Sequence, residues 1–176
     1  GVSDGLCGKC KGMNVKTRHT IRVLAALVVW QACVSAGLAA KTRWHGYACQ
    51  DLRIEGRTVT VVSPHEPAVG RPWIWKARFL DHRPDVDLAL LGLGFHVVFV
   101  AEDREMLGSP ECVALWDRVH ERLTSELGLA KQAALEGLSR GGLYVYNFAA
   151  ALPDKVACIY ADAPVCDFCS WPAGKP

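Results

Sequence analysis

Three short apolar runs, FHVVFV (95–100), AALEG (133–137) and VACIYA (156–161), are separated by stretches with helical signals. Runs of this kind read as strands buried on both faces, and regular alternation with helices builds a mainly parallel sheet covered from both sides. Between the first two runs, residues 109–128 begin with Ser109 as N-cap and Pro110 at the first helical position and stop at Gly128. Cys112, Trp116, Val119, Leu123 and Leu127 then share one face of that helix. Residues 141–152 read as a second helix closed by Pro153, and residues 85–94 as a third that ends at Gly94. Upstream, YACQDLRI (47–54) and RTVTVVS (57–63) flank Glu55-Gly56, a compact turn signal, and so predict an antiparallel hairpin. WIWKARF (73–79) is a further β-prone run. The expected fold class is therefore α/β: a mainly parallel sheet with an antiparallel amino-terminal hairpin and helices on both faces.

The first 39 residues follow a different logic. From Met13, Lys16, Arg18 and Arg22 stand without an acid before the apolar run VLAALVVW and the small-residue stretch QACVSAGLAA. That order predicts a secretory signal peptide over 13–39, cleaved after Ala39 with Ala36 as the second choice, leaving residues 1–12 as an upstream artefact and 40–176 as the mature domain. The apolar run is too short for a spanning helix, so no membrane association is expected once the signal is removed. The expected location is periplasmic or extracellular. Of eight cysteines, five remain after the cut, an odd number: Cys49, Cys112, Cys158, Cys166 and Cys169. The pairs in CGKC (7–10) and CDFC (166–169) lie too far apart for one zinc ribbon, so neither a metal nor another cofactor is expected. Twenty basic against eighteen acidic residues, scattered along the chain, give no reason to expect nucleic acid as a partner.

Between the AALEG strand and the helix that follows stands Gly137-Leu138-Ser139-Arg140-Gly141, a G-x-S-x-G sequence. Small residues two places either side of a serine suit a tight, strained turn that exposes the hydroxyl at the carboxyl end of a sheet. The helix start beyond it directs unsatisfied N–H groups toward an anion formed there. Ser139 is thus the candidate nucleophile.

With this motif, "PWIWKARF", "ALEGLSRGG" and "YADAPVCDF" resemble the α/β-hydrolase superfamily, in particular an exported bacterial esterase-like group, over residues 46–172. The resemblance implies that Ser139 attacks the carbonyl of a small-molecule or carbohydrate-linked ester. It also implies that the oxyanion is held by the N–H of Arg140 and by one from the loop after the third strand, at Ala77 or Arg78. Lys76-Ala77-Arg78 replaces the family's usual His-Gly-Gly there, and no histidine follows Ser139, although the family order is serine, acid, histidine. The six histidines, His19, His45, His65, His82, His96 and His120, all precede it. Truncation before the catalytic histidine accounts for this, and a catalytically silent domain is the alternative. Peptidase chemistry on the same fold and thiol redox chemistry at Cys166 and Cys169 are the remaining readings.

Other residues enter as candidates by position. Asp162, at the end of the VACIYA run, is a variant site for the acid. Trp73, Trp75 and Phe79 are candidates to line a substrate pocket, with Trp75 chosen, and Asp103 stands at the carboxyl edge of the sheet where such sites gather. Arg78 and Arg140 could hold an acidic substrate group or pair with Asp81 or Glu136. His82 is the upstream histidine nearest in sequence to the oxyanion loop.

Overall fold

The computed structural model describes residues 42–101, 105–167, 169 and 171. The expected signal peptide, the residues before it and Asp103 lie outside them. Seven strands form one sheet in the order β1-β2-β3-β5-β4-β6-β7. They are β1 (Thr42–Trp44), β2 (Tyr47–Ile54), β3 (Arg57–Ser63), β4 (Trp73–Lys76), β5 (His96–Val100), β6 (Ala133–Leu138) and β7 (Val156–Asp162). Strands β1 to β3 run antiparallel to their neighbours, and β4 to β7 pair in parallel. The β2–β3 hairpin turns at Glu55 and Gly56, both at positive φ (51° and 74°), which a two-residue turn matched to strand twist requires. Strand β1 was not foreseen; three residues are too few to show alternation.

Among the described residues three α-helices cover the sheet: α1 (Asp85–Gly92), α2 (Pro110–Glu126) and α3 (Gly141–Ala151). Helix α2 starts as its sequence predicts, with the Ser109 hydroxyl accepting the Cys112 N–H at 3.3 Å. Its buried face carries Cys112, Leu115, Trp116, Val119, His120 and Leu123, so His120 joins the expected stripe.

Alternation along β4 decides what each face holds. Trp73 and Trp75 point into the larger core with Val59, Val98, Leu135, Trp116 and Phe148, on the side of α2 and α3. Ile74 joins Val62, Val97 and Leu91 in the smaller core beneath α1. Trp75 and Trp116 stack with centroids 4.3 Å apart and planes 13° apart, joining the sheet to α2. Both faces of β4 are thereby dry, and the carboxyl ends of the parallel strands are left to carry chemistry.

Candidate active site

Ser139 is the first residue after β6, is exposed, and has φ +52°. That conformation costs an L-residue about 1–3 kcal/mol and persists only where its surroundings hold it. Here the end of β7 and the loop behind it do so. The Ser139 N–H donates to the Asp162 carbonyl at 3.0 Å, and the Val165 N–H donates to the Ser139 carbonyl at 2.8 Å. The flanking glycines are required by space. A Cβ on Gly137 would stand 2.7 Å from Val145 Cγ2, and one on Gly142 would stand 2.5 Å from the Val165 carbonyl oxygen. Strand, helix and loop therefore meet at the serine too closely for any side chain at these two positions.

Helix α3 opens beyond Arg140, and no described group accepts the Arg140 N–H. The loop after β4 passes alongside: a Cβ on Gly141 would stand 3.5 Å from Ala77 Cβ and 3.8 Å from Arg78 Cβ. Ala77 itself is corrected as an oxyanion donor. Its N–H donates to the Glu136 carbonyl at 2.9 Å, extending the β4–β6 ladder by one residue, so it is already engaged.

The side chains of Arg78 and Arg140 converge on one carboxylate, Glu105, at 3.5 Å from Arg78 and in direct contact with Arg140. Both guanidinium groups also lie over the Phe79 ring, 5.5 and 5.2 Å from its centroid. The alternative pairings with Asp81 and Glu136 do not form. Asp81 accepts the Trp44 indole N–H at 2.6 Å, and Glu136 is held by Lys76. Trp75 is corrected as a substrate contact, because it is fully buried between the sheet and α2. Of the three aromatic candidates, Phe79 reaches Arg140 beside Ser139. Asp162 gives its backbone carbonyl to Ser139, while its carboxylate lies 3.6 Å from the exposed Arg83 guanidinium.

No described histidine hydrogen-bonds the Ser139 hydroxyl. His96 lies 3.5 Å from the Pro72 carbonyl and His120 3.0 Å from that of Lys131, and burial pushes both imidazoles below their ordinary pKa. His45 and His65 pack on Trp44 and Tyr47. His82 meets the edge of Phe79, with ring centroids 6.5 Å apart.

Sequence reasoning missed a buried charge cluster on the α1 side of the same strands. Lys76 donates to Asp87 and Glu136 at 2.6 Å each, and all three side chains are buried. The signal was present as charged residues inside otherwise apolar segments, WIWKA and AALEGL. For Lys76, burial opposes the charge, but the two carboxylates outweigh it and raise the ammonium pKa. Glu136 is pushed up to about 7, by burial first, against the Lys76 hydrogen bond and with the Asp87 charge adding to the rise.

An exposed serine strained between a central parallel strand and a helix, in a sheet of this order, defines the α/β-hydrolase fold, and that is the fold of this chain. No protein-family model and no curated protein sequence matches it. Solved structures do match. The acetyl xylan esterase from Aspergillus awamori is similar at a TM-score of 0.58 and 13% identity, over 72% of this chain and 55% of that one. A cold-adapted esterase from an Arctic intertidal metagenomic library matches at 0.52 and 16%, over 69% and 63%. Cfl2 from Burkholderia cenocepacia matches at 0.53 and 19%, over 74% and 46%. This chain thus spans between 46% and 63% of the length of these three structures.

Proposed function

We propose that the chain is part of a serine hydrolase that cleaves carboxylic esters, with a small-molecule or carbohydrate-linked alcohol, through a Ser139 acyl-enzyme. The observation that carries this reading is the exposed Ser139 at φ +52°, clasped by Asp162 and Val165 and followed by a helix start. A nucleophile in this position meets a substrate carbonyl from the open end of the sheet, and the backbone N–H groups of Arg140 and Arg78 face the charge that develops. Two of the similar structures are themselves esterases, which favours an ester over other acyl groups. The base that removes the hydroxyl proton is supplied from outside the described residues, because none of their histidines is bonded to Ser139. We also infer export, from the order of charge, apolar run and small residues ahead of Ala40.

The test is active-site labelling. A form of the protein extended beyond Pro176 is expected to react with a fluorophosphonate at Ser139 and to hydrolyse p-nitrophenyl acetate, with Ser139→Ala abolishing both. An extended protein inert in both assays would make this a catalytically silent domain on the same fold.

A further inference from the structure

Two guanidinium groups stand together beside Ser139. Arg140 is the next residue in the chain, and the loop after β4 brings Arg78 to the start of α3, its Cβ and Cγ each 3.8 Å from where a Cβ on Gly141 would stand. They come from different segments, yet both side chains lie over the Phe79 ring, and Arg140 also lies over Trp171, 5.8 Å from the ring centroid. An aromatic ring takes the face of a guanidinium and leaves its N–H edge for an anion. Phe79 holds this position at φ +59°, in the left-handed region that a bulky residue seldom occupies, and such strain persists where the surroundings fix it. Glu105 shows what the two arginines accept. Its carboxylate meets both through one oxygen, Oε1, so neither contact is the two-oxygen match that a carboxylate and a guanidinium fork make at their best. The Arg78 contact is long, at 3.5 Å, and the side chains of Glu105 and Arg140 are 36% and 31% exposed. An ion pair this open to solvent is weak and yields to a better-fitting anion.

We infer that Arg78 and Arg140 form a carboxylate subsite, for which Glu105 competes, and that the ester cleaved at Ser139 carries a free carboxylate a few bonds from the scissile carbonyl. The second half rests on the proposed Ser139 chemistry; the first does not. Backbone and side chain of Arg140 divide the work. The N–H serves the oxyanion, and the guanidinium, carried on the same Cα, reaches a second acidic group of the same molecule. A planar carboxylate with one oxygen on each arginine engages both forks at once, which Glu105 with its single oxygen does not. Charge then selects the substrate: a neutral ester has no group to offer the pair and leaves Glu105 in place.

The experiment titrates the 176-residue chain near neutral pH and at physiological salt, following the arginine Nε–H resonances. The probes are monomethyl succinate, an ester with one free carboxylate, and dimethyl succinate, its neutral counterpart. The half-ester is expected to shift the Arg78 and Arg140 signals saturably and to bind at least about tenfold tighter than the diester, as a charged hydrogen-bonded pair supplies. This comparison needs no variant, and equal affinity for the two esters would overturn the subsite. Arg78→Gln and Arg140→Gln should each weaken the half-ester by about tenfold, and Glu105→Gln should tighten it by about threefold or more, because the competitor is gone. Half-ester affinity unchanged in both arginine variants, or weakened in Glu105→Gln, would equally overturn it. Fluorophosphonate labelling of the extended form separates the two halves of the inference. Half-ester binding without Ser139 labelling would leave a carboxylate site on a silent domain and overturn the substrate assignment. Labelling without a half-ester preference would leave the esterase and overturn the subsite.

Discussion

The carbonyl oxygen of Val165 lies 2.5 Å from where a Cβ on Gly142 would stand, so the first turn of α3 and the loop after β7 touch backbone to backbone. A methyl group at residue 142 must displace that loop, and with it the Val165 N–H that holds Ser139. Gly142→Ala is expected to lower stability by about 1–3 kcal/mol, the range for overpacking a tight contact. Gly92, the last residue of α1, meets nothing within 4 Å and has ordinary helical φ. Gly92→Ala should therefore be neutral or stabilising by up to about 1 kcal/mol. Urea unfolding of both variants beside the parent protein measures the contrast.

Much of this arrangement was legible before any coordinates. The G-x-S-x-G spacing marked the turn between β6 and α3, and Ser109-Pro110 marked the start of α2, because both are local devices whose geometry depends on adjacent residues. What escaped were pairings set by strand order. The Ala77 N–H is taken up because β4 and β6 are neighbours and their ladder continues one residue past β4, a pairing that no local pattern reveals. Trp75 looked like a pocket residue until α2 supplied Trp116 to cover it. Glu105, the carboxylate shared by the two arginines, carries no signal of its own, since sequence separation says nothing about which loop ends beside the elbow.

The Lys76–Asp87–Glu136 cluster predicts a stability profile with a definite sign. Glu136 has its pKa raised from 4.5 to about 7, so between those values the folded state holds more protons than the unfolded one. Its contribution is fully present below pH 4.5 and is lost as pH rises through 7. The lowered pKa values of His96 and His120 act in the opposite sense, costing stability as pH falls below 6.5. The difference between parent and Glu136→Gln isolates the carboxylate. The variant's stability relative to the parent is expected to improve from pH 5 to pH 8, by on the order of 2 kcal/mol. Urea midpoints at several pH values read this directly, and parallel profiles would remove Glu136 as the titrating group.

Lys76 is the cation on which two buried carboxylates depend. Lys76→Met keeps most of the side-chain volume and leaves Asp87 and Glu136 facing each other without a counter-charge. Breaking a buried ion pair in this way costs about 3–5 kcal/mol. The loss should be smaller at pH 5, where Glu136 is protonated, than at pH 8. Thermal melts at the two values check both the size and the direction.

The last expectation concerns Ser139 in the 176-residue chain itself. A serine hydroxyl is a weak nucleophile at its free pKa, and removing the base from such a unit costs orders of magnitude in rate even when the oxyanion donors remain. The Arg140 N–H stands next to Ser139 at the start of α3, but none of the described histidines is hydrogen-bonded to the serine. The chain is therefore expected to turn over p-nitrophenyl acetate slowly and to react with a fluorophosphonate far more slowly than an extended form. His82, which packs against Phe79, should be replaceable by alanine with no change in that residual rate. Ser139→Ala should lower whatever turnover remains to that of buffer. Brisk hydrolysis by the 176-residue chain that disappears in His82→Ala would place the base among the residues before the elbow and overturn this account of the site.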